Sequence, residues 1–183
     1  MNPSDDTRNL IDKYKGLSNE EIVADLDKSR IPLEIAIENL AHDFNIGTIV
    51  RNANAFNVAR VHIIGKRKYN RRGAMVTDRY LHIDHFSTVD EFIKDARTRN
   101  MSIIAVDNNR PEAKALAKTE IKPNSILIFG SESDGISQEL LDKSDGAFYI
   151  EQLGSTRSIN VGCASAVAMY EAVRQLGLLP KDA

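Results

Sequence analysis

Three segments of the 183-residue chain carry polar side chains whose types and spacing suit a binding or catalytic site. The first places Asn45 six residues before Arg51, with the apolar pair Ile49-Val50 between them. Asn45 is suited to capping a predicted helix over 47–57. Arg51 then falls near the start of that helix, where the macrodipole disfavours a cation, so a specific partner for its guanidinium is indicated.

The second segment is a glycine-bracketed loop that follows an apolar strand. The strand is predicted at 125–129, and the loop runs from Gly130 to Gly135 with Glu132 inside it. Ligands of open α/β sheets gather at the carboxyl ends of strands, and glycine allows close approach of the backbone. A tight turn alone would explain the two glycines but not the acidic residue between them.

The third segment joins a predicted strand at 147–151, through a polar loop, to a long helix over 160–177. The first turns of this helix consist almost entirely of small residues, which let another backbone pack closely. Close packing leaves Ser158 and Asn160 unexplained, so these two side chains are further candidates for a site.

A run of cations follows a predicted strand at 60–65. The chain as a whole has a net charge of −2 and a pI of about 6.1, which argues mildly against a nucleic-acid partner. Five cations nevertheless fall within seven residues, and their position near the first segment favours phosphate contacts over a solvated loop. The predicted RNA-binding residues are Lys66, Arg67, Lys68, Arg71 and Arg72.

Strands and helices alternate along the chain, which predicts an α/β fold with a mostly parallel sheet. Ser18 and Glu21 form a capping box ahead of a short helix over 19–29. Alternating apolar residues predict a strand at 33–37, and short apolar runs at 101–106 and 125–129 are typical of strands buried on both faces. The remaining predicted elements are a strand at 82–86 and helices over 89–99 and 137–143.

Other kinds of site find little support in the sequence. No phosphate-binding P-loop and no Gly-x-Gly-x-x-Gly after a strand is present. His82, Asp84 and His85 do not share one face of a strand, so no metal is expected. Cys163 is expected to pack inside a buried helix. With no long apolar stretch and no signal-like start, we expect a cytoplasmic protein without a membrane span.

In this order and at these spacings, the three segments resemble the SpoU family of the SPOUT methyltransferase superfamily. The family's first motif is an Asn followed six positions later by an Arg, as in Asn45 and Arg51. Its second is an apolar strand followed by Gly-x-Glu-x-x-Gly, as in Gly130, Glu132 and Gly135.

The family's third motif also has a counterpart, in Leu153-Gly154 and in Ser158-Ile159-Asn160-Val161. Ile159 replaces the family's usual Leu, and Gly162 stands where Ser is common, so a hydroxyl at that position is absent. The resemblance covers about residues 33–176.

The resemblance implies a SPOUT-type α/β knot, in which helices flank a mostly parallel sheet and the C-terminal part forms a trefoil knot. We expect a catalytic domain over 31–179 and an N-terminal helical extension over 1–30. Family members are typically homodimers with the active site near the subunit interface.

The resemblance further implies methyl transfer from S-adenosylmethionine to a ribose 2′-hydroxyl of tRNA or rRNA. The implied catalytic residues are Arg51, Asn45, Glu132, Ser158 and Asn160. The implied cofactor-binding residues are Leu127, Phe129, Gly130, Glu132, Gly135, Ile150, Leu153, Ser158, Ile159 and Asn160. Whether Arg51 acts as a base or as an electrostatic stabiliser stays open, because a guanidinium is not expected to lose its proton in a protein.

Two other classes of function remain as alternatives. One is a non-catalytic RNA-binding protein that retains the knotted fold, although Asn45, Arg51, Glu132 and Asn160 are all present. The other is a small-molecule α/β enzyme that uses a nucleotide, which the missing phosphate loops and the basic run disfavour.

Overall fold

The computed structural model describes residues 5–40, 45–131 and 134–179. The strands in chain order are β1 (Ile31–Asn39), β2 (Val58–Gly65), β3 (Ile83–Phe86), β4 (Ser102–Val106), β5 (Lys114–Ala115), β6 (Ser125–Phe129) and β7 (Gly146–Tyr149). They form one parallel sheet in the order β3-β2-β1-β6-β4-β7-β5. The predicted α/β fold with a parallel sheet is confirmed.

Helices cover both faces of this sheet. They are α1 (Asn19–Leu26), α2 (Asn45–Ala55), α3 (Val89–Thr98), α4 (Gln138–Asp142) and α5 (Val161–Gln175). Alternate residues of β6 point to opposite faces, so Leu127 enters the core shared with α2 and α5, and Ile126 enters the core shared with α3 and α4. The molecule therefore has three layers, with the sheet in the middle.

The two central strands of the sheet, β1 and β6, are buried on both faces and not only on one. All five residues of β6 are buried, as its apolar sequence predicts, whereas only alternate residues of β4 are fully buried. In β1 even Glu34 and Glu38 are buried, because the helices of the second face cover them.

Each of the two buried carboxylates in β1 has polar partners. Glu34 accepts hydrogen bonds from Arg99 Nη1 at 2.7 Å and shares a 2.7 Å hydrogen bond with His62 Nε2. Glu38 Oε2 accepts one from the backbone N–H of Ser137 at 2.7 Å, which ties β1 to the start of α4. These bonds offset the cost of removing the charges from water.

Most predicted elements agree with the structure to within a few residues, with two differences that bear on function. The strand β5 has two residues, too few for a sequence pattern to reveal. The helix α2 extends to Asn45, so Arg51 lies in its middle. The prediction that Arg51 lies near the start of a helix is therefore wrong.

The N-terminal part of the described chain packs against the body of the molecule. The capping box of α1 is confirmed, since Ser18 Oγ accepts from Glu21 N and the Glu21 carboxylate accepts from Ser18 N. Ile22 on α1 packs with Tyr14 and Tyr80 in a small separate cluster. The apolar face of residues 19–29 is therefore used within the chain. In the described ranges, no helix combines the length and apolar character needed to cross a membrane.

Candidate active site at the carboxyl ends of three strands

A cavity of about 490 Å³ opens where β4, β6 and β7 end. This is the edge of a parallel sheet at which ligands bind in open α/β folds, and the volume lies within the range of small-molecule sites. Its walls come from described residues of the segments that follow the three strands, within 106–109, 129–131, 134–135 and 149–164. The second and third predicted segments therefore meet around one cavity.

The glycine loop after β6 is closed by its own backbone. Ser131 N donates to Gly135 O at 2.9 Å, and Gly135 N donates to Ser131 O at 3.0 Å. A Cβ on Gly130 would lie 2.0 Å from the carbonyl carbon of Gly135, so no side chain fits there. Gly130 is thus required by the turn itself, and Gly135 adopts a φ of +70° that favours glycine. Glu132 lies outside the described residues.

Asn160 links the third segment to the first. Its Oδ1 accepts from the backbone N–H groups of Gly162 and Cys163, which caps α5. Its Nδ2 donates to Asn45 Oδ1 at 2.9 Å. One amide therefore fixes the start of α5 and joins it to the first residue of α2.

A second amide contact holds the same two helices together. Asn52 Nδ2 donates to Gly162 O and to Ser165 Oγ, both at 2.9 Å. These contacts bring α2 against the small residues at the start of α5, which is the close packing that the sequence predicts.

Arg51 lies on the same helix as Asn45 and Asn52, and its side chain is exposed. Within the part of the chain that the structure describes, Arg51 forms no hydrogen bond or ion pair. A guanidinium left unpaired next to this helix junction is available to an anionic ligand from outside.

The structure places most of the predicted cofactor residues around the cavity. Those that line it are Phe129, Gly130, Gly135, Ile150, Ser158, Ile159 and Asn160. Leu127 does not line it, because its side chain points into the core under α2 and α5. Leu153 is fully exposed beside the loop and also does not line it.

Sequence reasoning missed the contribution of β4. Asp107, Asn108 and Asn109 follow this strand directly and line the cavity, as does Arg157 from the third segment. Asn108 Nδ2 donates to Arg157 O at 2.9 Å, so the two loops are joined at the rim. The signal was available, because these polar residues follow a predicted strand whose carboxyl end must share the edge with the others.

The basic run leaves β2 at the same edge and packs against α2. A Cβ on Gly47 would lie 2.8 Å from Ala74 N, and one on Gly73 would lie 2.9 Å from Thr48 N, so both glycines permit direct backbone contact. Asn39 Nδ2 holds the beginning of the run by donating to the carbonyl oxygens of Lys66 at 2.5 Å and Lys68 at 3.0 Å.

All five cations of this run have exposed side chains. Arg71, however, forms an ion pair with the buried carboxylate of Asp78, so part of its role is structural. Tyr69 packs against the main core, and burial raises the pKa of its hydroxyl. It is therefore not a free stacking surface for a base.

The histidines on and next to β3 have partners within the protein. His82 pairs with Asp27 at 2.9 Å, and His85 Nε2 contacts Gly65 O at 2.7 Å. Among the residues whose positions the structure gives, no three His, Cys, Asp or Glu side chains form a group able to hold a metal ion.

Comparisons with solved structures show the same fold in other proteins. An A. aeolicus TrmH/SpoU tRNA modifying enzyme superposes with a TM-score of 0.75 at 23% identity, covering 87% of this chain and 82% of that one. The SpoU methyltransferase AviRb from Streptomyces viridochromogenes, in complex with the cofactor AdoMet, gives 0.72 at 21% identity, covering 83% and 64%.

Sequence comparisons lead to one family. A tRNA (guanosine(18)-2′-O)-methyltransferase of Thermus thermophilus is 26% identical over 147 residues, which is 78% of this chain and 75% of that protein. The Escherichia coli enzyme of the same name is 29% identical over 148 residues, covering 78% and 63%. The model of the SpoU rRNA Methylase family matches residues 32–170. This match spans most of the sequence, and the chain therefore belongs to the SpoU methylase family.

Proposed function

We propose that this protein transfers a methyl group from S-adenosylmethionine to a ribose 2′-hydroxyl in tRNA or rRNA. The observation that carries this proposal is the convergence of the family's motifs, with Asn160 at the cavity bonded directly to Asn45 on the helix that presents Arg51. The similar proteins of known name support the reaction type, since they are tRNA and 23S rRNA guanosine 2′-O-methyltransferases.

The cavity fits S-adenosylmethionine in size and in chemistry. Ile150 and Val161 supply apolar surface suited to an adenine ring. Arg157 supplies a cation suited to the carboxylate of the methionine part. Gly130 and Gly135 line the cavity without side chains, so the backbone of the closed turn is open to a ligand there. S-adenosylmethionine supplies a sulfonium methyl that is already activated for transfer.

The protein must then position the hydroxyl, stabilise its developing charge and remove its proton. Arg51 is exposed, unpaired among the described residues and mounted on the helix bonded to the cavity rim. We assign it to hold the target phosphate or the forming alkoxide, since a guanidinium is not expected to lose its proton in a protein and so is a poor general base. The other proposed catalytic residues shape the site around Arg51: Asn45, Glu132, Ser158 and Asn160.

RNA binding is assigned to the basic run, which α2 connects to the site. The contact between Gly73 and Thr48 places the run against the helix that carries Arg51. Four cations of the run have charges suited to phosphates that flank the target nucleotide: Lys66, Arg67, Lys68 and Arg72. Arg71 is also assigned to phosphate binding, in addition to its ion pair with Asp78.

We further propose that residues 31–179 form the catalytic domain and that its C-terminal part is knotted. Strand β7 lies between β4 and β5, although β4 and β5 follow each other in the chain. The connection at 107–113 must cross β7, and it is bonded to the loop after β7 through Asn108. This crossing supports a threaded chain, which is rare among proteins in general.

We also propose that the protein is a homodimer and that it acts in the cytoplasm. The outer face of α5 exposes Cys163, Val167 and Tyr170, the last two with 43% and 51% of their surface accessible. The expectation that Cys163 is buried is therefore wrong for the single chain. An apolar stripe on the helix that carries Asn160 at its start supports an interface close to the site.

Calorimetric titration of the purified protein with S-adenosylhomocysteine tests the cofactor part of this proposal. We expect saturable binding and a raised melting temperature, because a ligand of the native state stabilises it. Absence of binding at millimolar ligand would overturn the assignment and favour a non-catalytic RNA-binding role.

A further inference from the structure

Asp107 is a cavity residue that the family motifs do not include. It is the first residue after β4, and its backbone N–H donates to Phe148 O on β7 at 3.0 Å. Its Oδ1 accepts from the backbone N–H of Asn109 at 2.7 Å, which fixes the orientation of the carboxylate. The side chain is half-buried and lines the cavity.

The second oxygen of this carboxylate is available to a ligand. Oδ2 would lie 3.5 Å from a Cβ placed on Gly135, so it faces the closed turn that lines the cavity. No residue with a described position donates a hydrogen bond to Oδ2. Among the residues with described positions, the other acidic one on the cavity wall is Asp134, which differs because its Oδ2 accepts from Ser131 Oγ at 3.3 Å.

The order of the strands decides which part of the cofactor Asp107 meets. Besides the wall that follows β4, the cavity has one wall that follows β6 and one that follows β7, and β4 lies between these two strands in the sheet. A ligand that contacts both walls passes over the end of β4 with its middle part. In S-adenosylmethionine the middle part is the ribose, whose two adjacent hydroxyls are hydrogen-bond donors. A carboxylate is an acceptor with two oxygens and suits this pair.

We propose that Asp107 binds the ribose 2′- and 3′-hydroxyls of S-adenosylmethionine and thereby positions the cofactor in the cavity. This inference rests on the proposed function for the identity of the ligand. Asp107 is a positioning residue in this account, since it touches the ribose and not the sulfonium methyl that is transferred.

The test compares Asp107→Asn with the wild-type protein by calorimetry. The amide oxygen can still accept from Asn109 N, so the turn is kept while the charge and one acceptor are lost. The matched control is Asp90→Asn, which removes an exposed carboxylate paired with Lys143 on the other face of the sheet. The ligands are S-adenosylhomocysteine, 5′-methylthioadenosine and the 2′,3′-dideoxy form of the latter.

We expect Asp107→Asn to weaken the first two ligands by the same factor, about 10- to 100-fold, because hydrogen bonds to a charged group are strong. The dideoxy ligand should bind the wild type and Asp107→Asn equally, and Asp90→Asn should bind all three like the wild type. Equal affinity of wild type and Asp107→Asn for 5′-methylthioadenosine would overturn the inference. Weakening of S-adenosylhomocysteine alone would assign Asp107 to the ammonium group instead.

A loss of affinity that extends to the dideoxy ligand would also contradict the ribose assignment, since that ligand lacks both hydroxyls. Thermal melting of Asp107→Asn checks that the fold is intact, and Asp107→Ala provides a second variant without any acceptor. If the wild type binds S-adenosylhomocysteine and Asp107→Asn binds it equally well, the proposed function stands and this inference alone fails.

Discussion

At the scale of single residues, the side-chain amide of Asn160 holds the junction of α2 and α5 together. Asn160 caps α5 with its oxygen and bonds Asn45 with its nitrogen, so one side chain fixes both a helix start and a contact between motifs. Sequence spacing indicated that these residues belong together. Spacing did not show that Asn45 and Asn160 touch. They lie 115 positions apart, and their contact depends on how the sheet places the two helices.

Arg51 is the residue whose substitution should affect the rate most directly. Arg51→Ala should lower kcat by ~100–1,000-fold, the effect of losing one well-placed electrostatic stabiliser. Arg51→Lys should recover little, because a point charge does not replace the planar fork of a guanidinium. Single-turnover methylation at saturating RNA is the measurement, with S-adenosylhomocysteine affinity as the control that should stay unchanged. A near-wild-type rate in Arg51→Ala would return the catalytic role to Glu132 or Asn160.

Glu34 should make folding stability depend on acid pH. Burial raises the pKa of this carboxyl, but hydrogen bonds from His62 and Arg99 outweigh burial and lower the pKa from 4.5 to about 2. A lowered folded-state pKa gives stability that is present above pH 4.5 and is lost as the pH falls through about 2. The contribution is on the order of 3 kcal/mol at neutral pH.

Urea unfolding of the wild type and of Glu34→Gln measures this contribution, because the other carboxylates are common to both proteins. We expect the difference in unfolding free energy to be largest above pH 5 and to shrink steadily towards pH 2. A difference that does not change between pH 6 and pH 2 would show that the charge of Glu34 is not stabilised by His62 and Arg99.

At the scale of elements, α2 is the part that connects the RNA-binding loop with the cavity. Its first turn meets Gly73, which directly follows the basic run, and Asn52 in its third turn bonds the start of α5. The sequence predicted the helix and the run separately. It could not show that Gly47 and Gly73 let two backbones touch, since a glycine pattern does not reveal what approaches it.

The basic run should govern RNA affinity through phosphate contacts. Replacing Lys66, Arg67 and Arg72 together with serine should weaken RNA binding. It should also make the negative slope of log K against log salt shallower by about 2 to 3, since each phosphate contact contributes about 0.7–0.9 to its steepness. Arg71 is left in place because it pairs with Asp78. Filter binding from low to physiological salt measures both quantities.

The matched control for the basic run replaces three exposed cations on and after β5, which is the edge strand farthest from β3. They are Lys114, Lys118 and Lys122. Their loss changes the net charge equally but should leave most of the RNA affinity and its salt slope in place. Equal effects of the two triple replacements would mean that the attraction is a general charge effect and that the run has no special role.

At the scale of the whole molecule, the exposed stripe on α5 predicts self-association. Replacing Val167 and Tyr170 with glutamate should convert a dimer of about twice 20.4 kDa into a monomer, because two charges would be buried in an apolar interface. Light scattering during gel filtration is the measurement. Glutamates introduced at two exposed neutral residues, Ser87 before α3 and Thr98 on it, change the net charge equally; they form the control and should leave the dimer intact. A wild-type monomer at micromolar concentration would contradict the proposed assembly.

The sequence predicted the fold class and the order of the large elements because apolar periodicity and helix capping act locally. The position of β7 between β4 and β5, and with it the crossing of the 107–113 connection, has no local signal. Asp107 was missed for the same reason, since its role depends on which strands lie beside β4. Two of the cavity walls could be predicted from the sequence, because the glycine loop and the small-residue helix each have a recognisable local pattern.

The central claim is methyl transfer to a ribose, and the site of the methyl group in the product tests it most directly. The wild-type protein, supplied with radiolabelled S-adenosylmethionine and unmodified tRNA or rRNA, should label RNA in which one phosphodiester bond resists alkaline hydrolysis. The label should then appear in a 2′-O-methylated nucleoside, because a methylated 2′-oxygen cannot attack the neighbouring phosphate. Label found only on a base, or none in either RNA despite cofactor binding, would contradict the account.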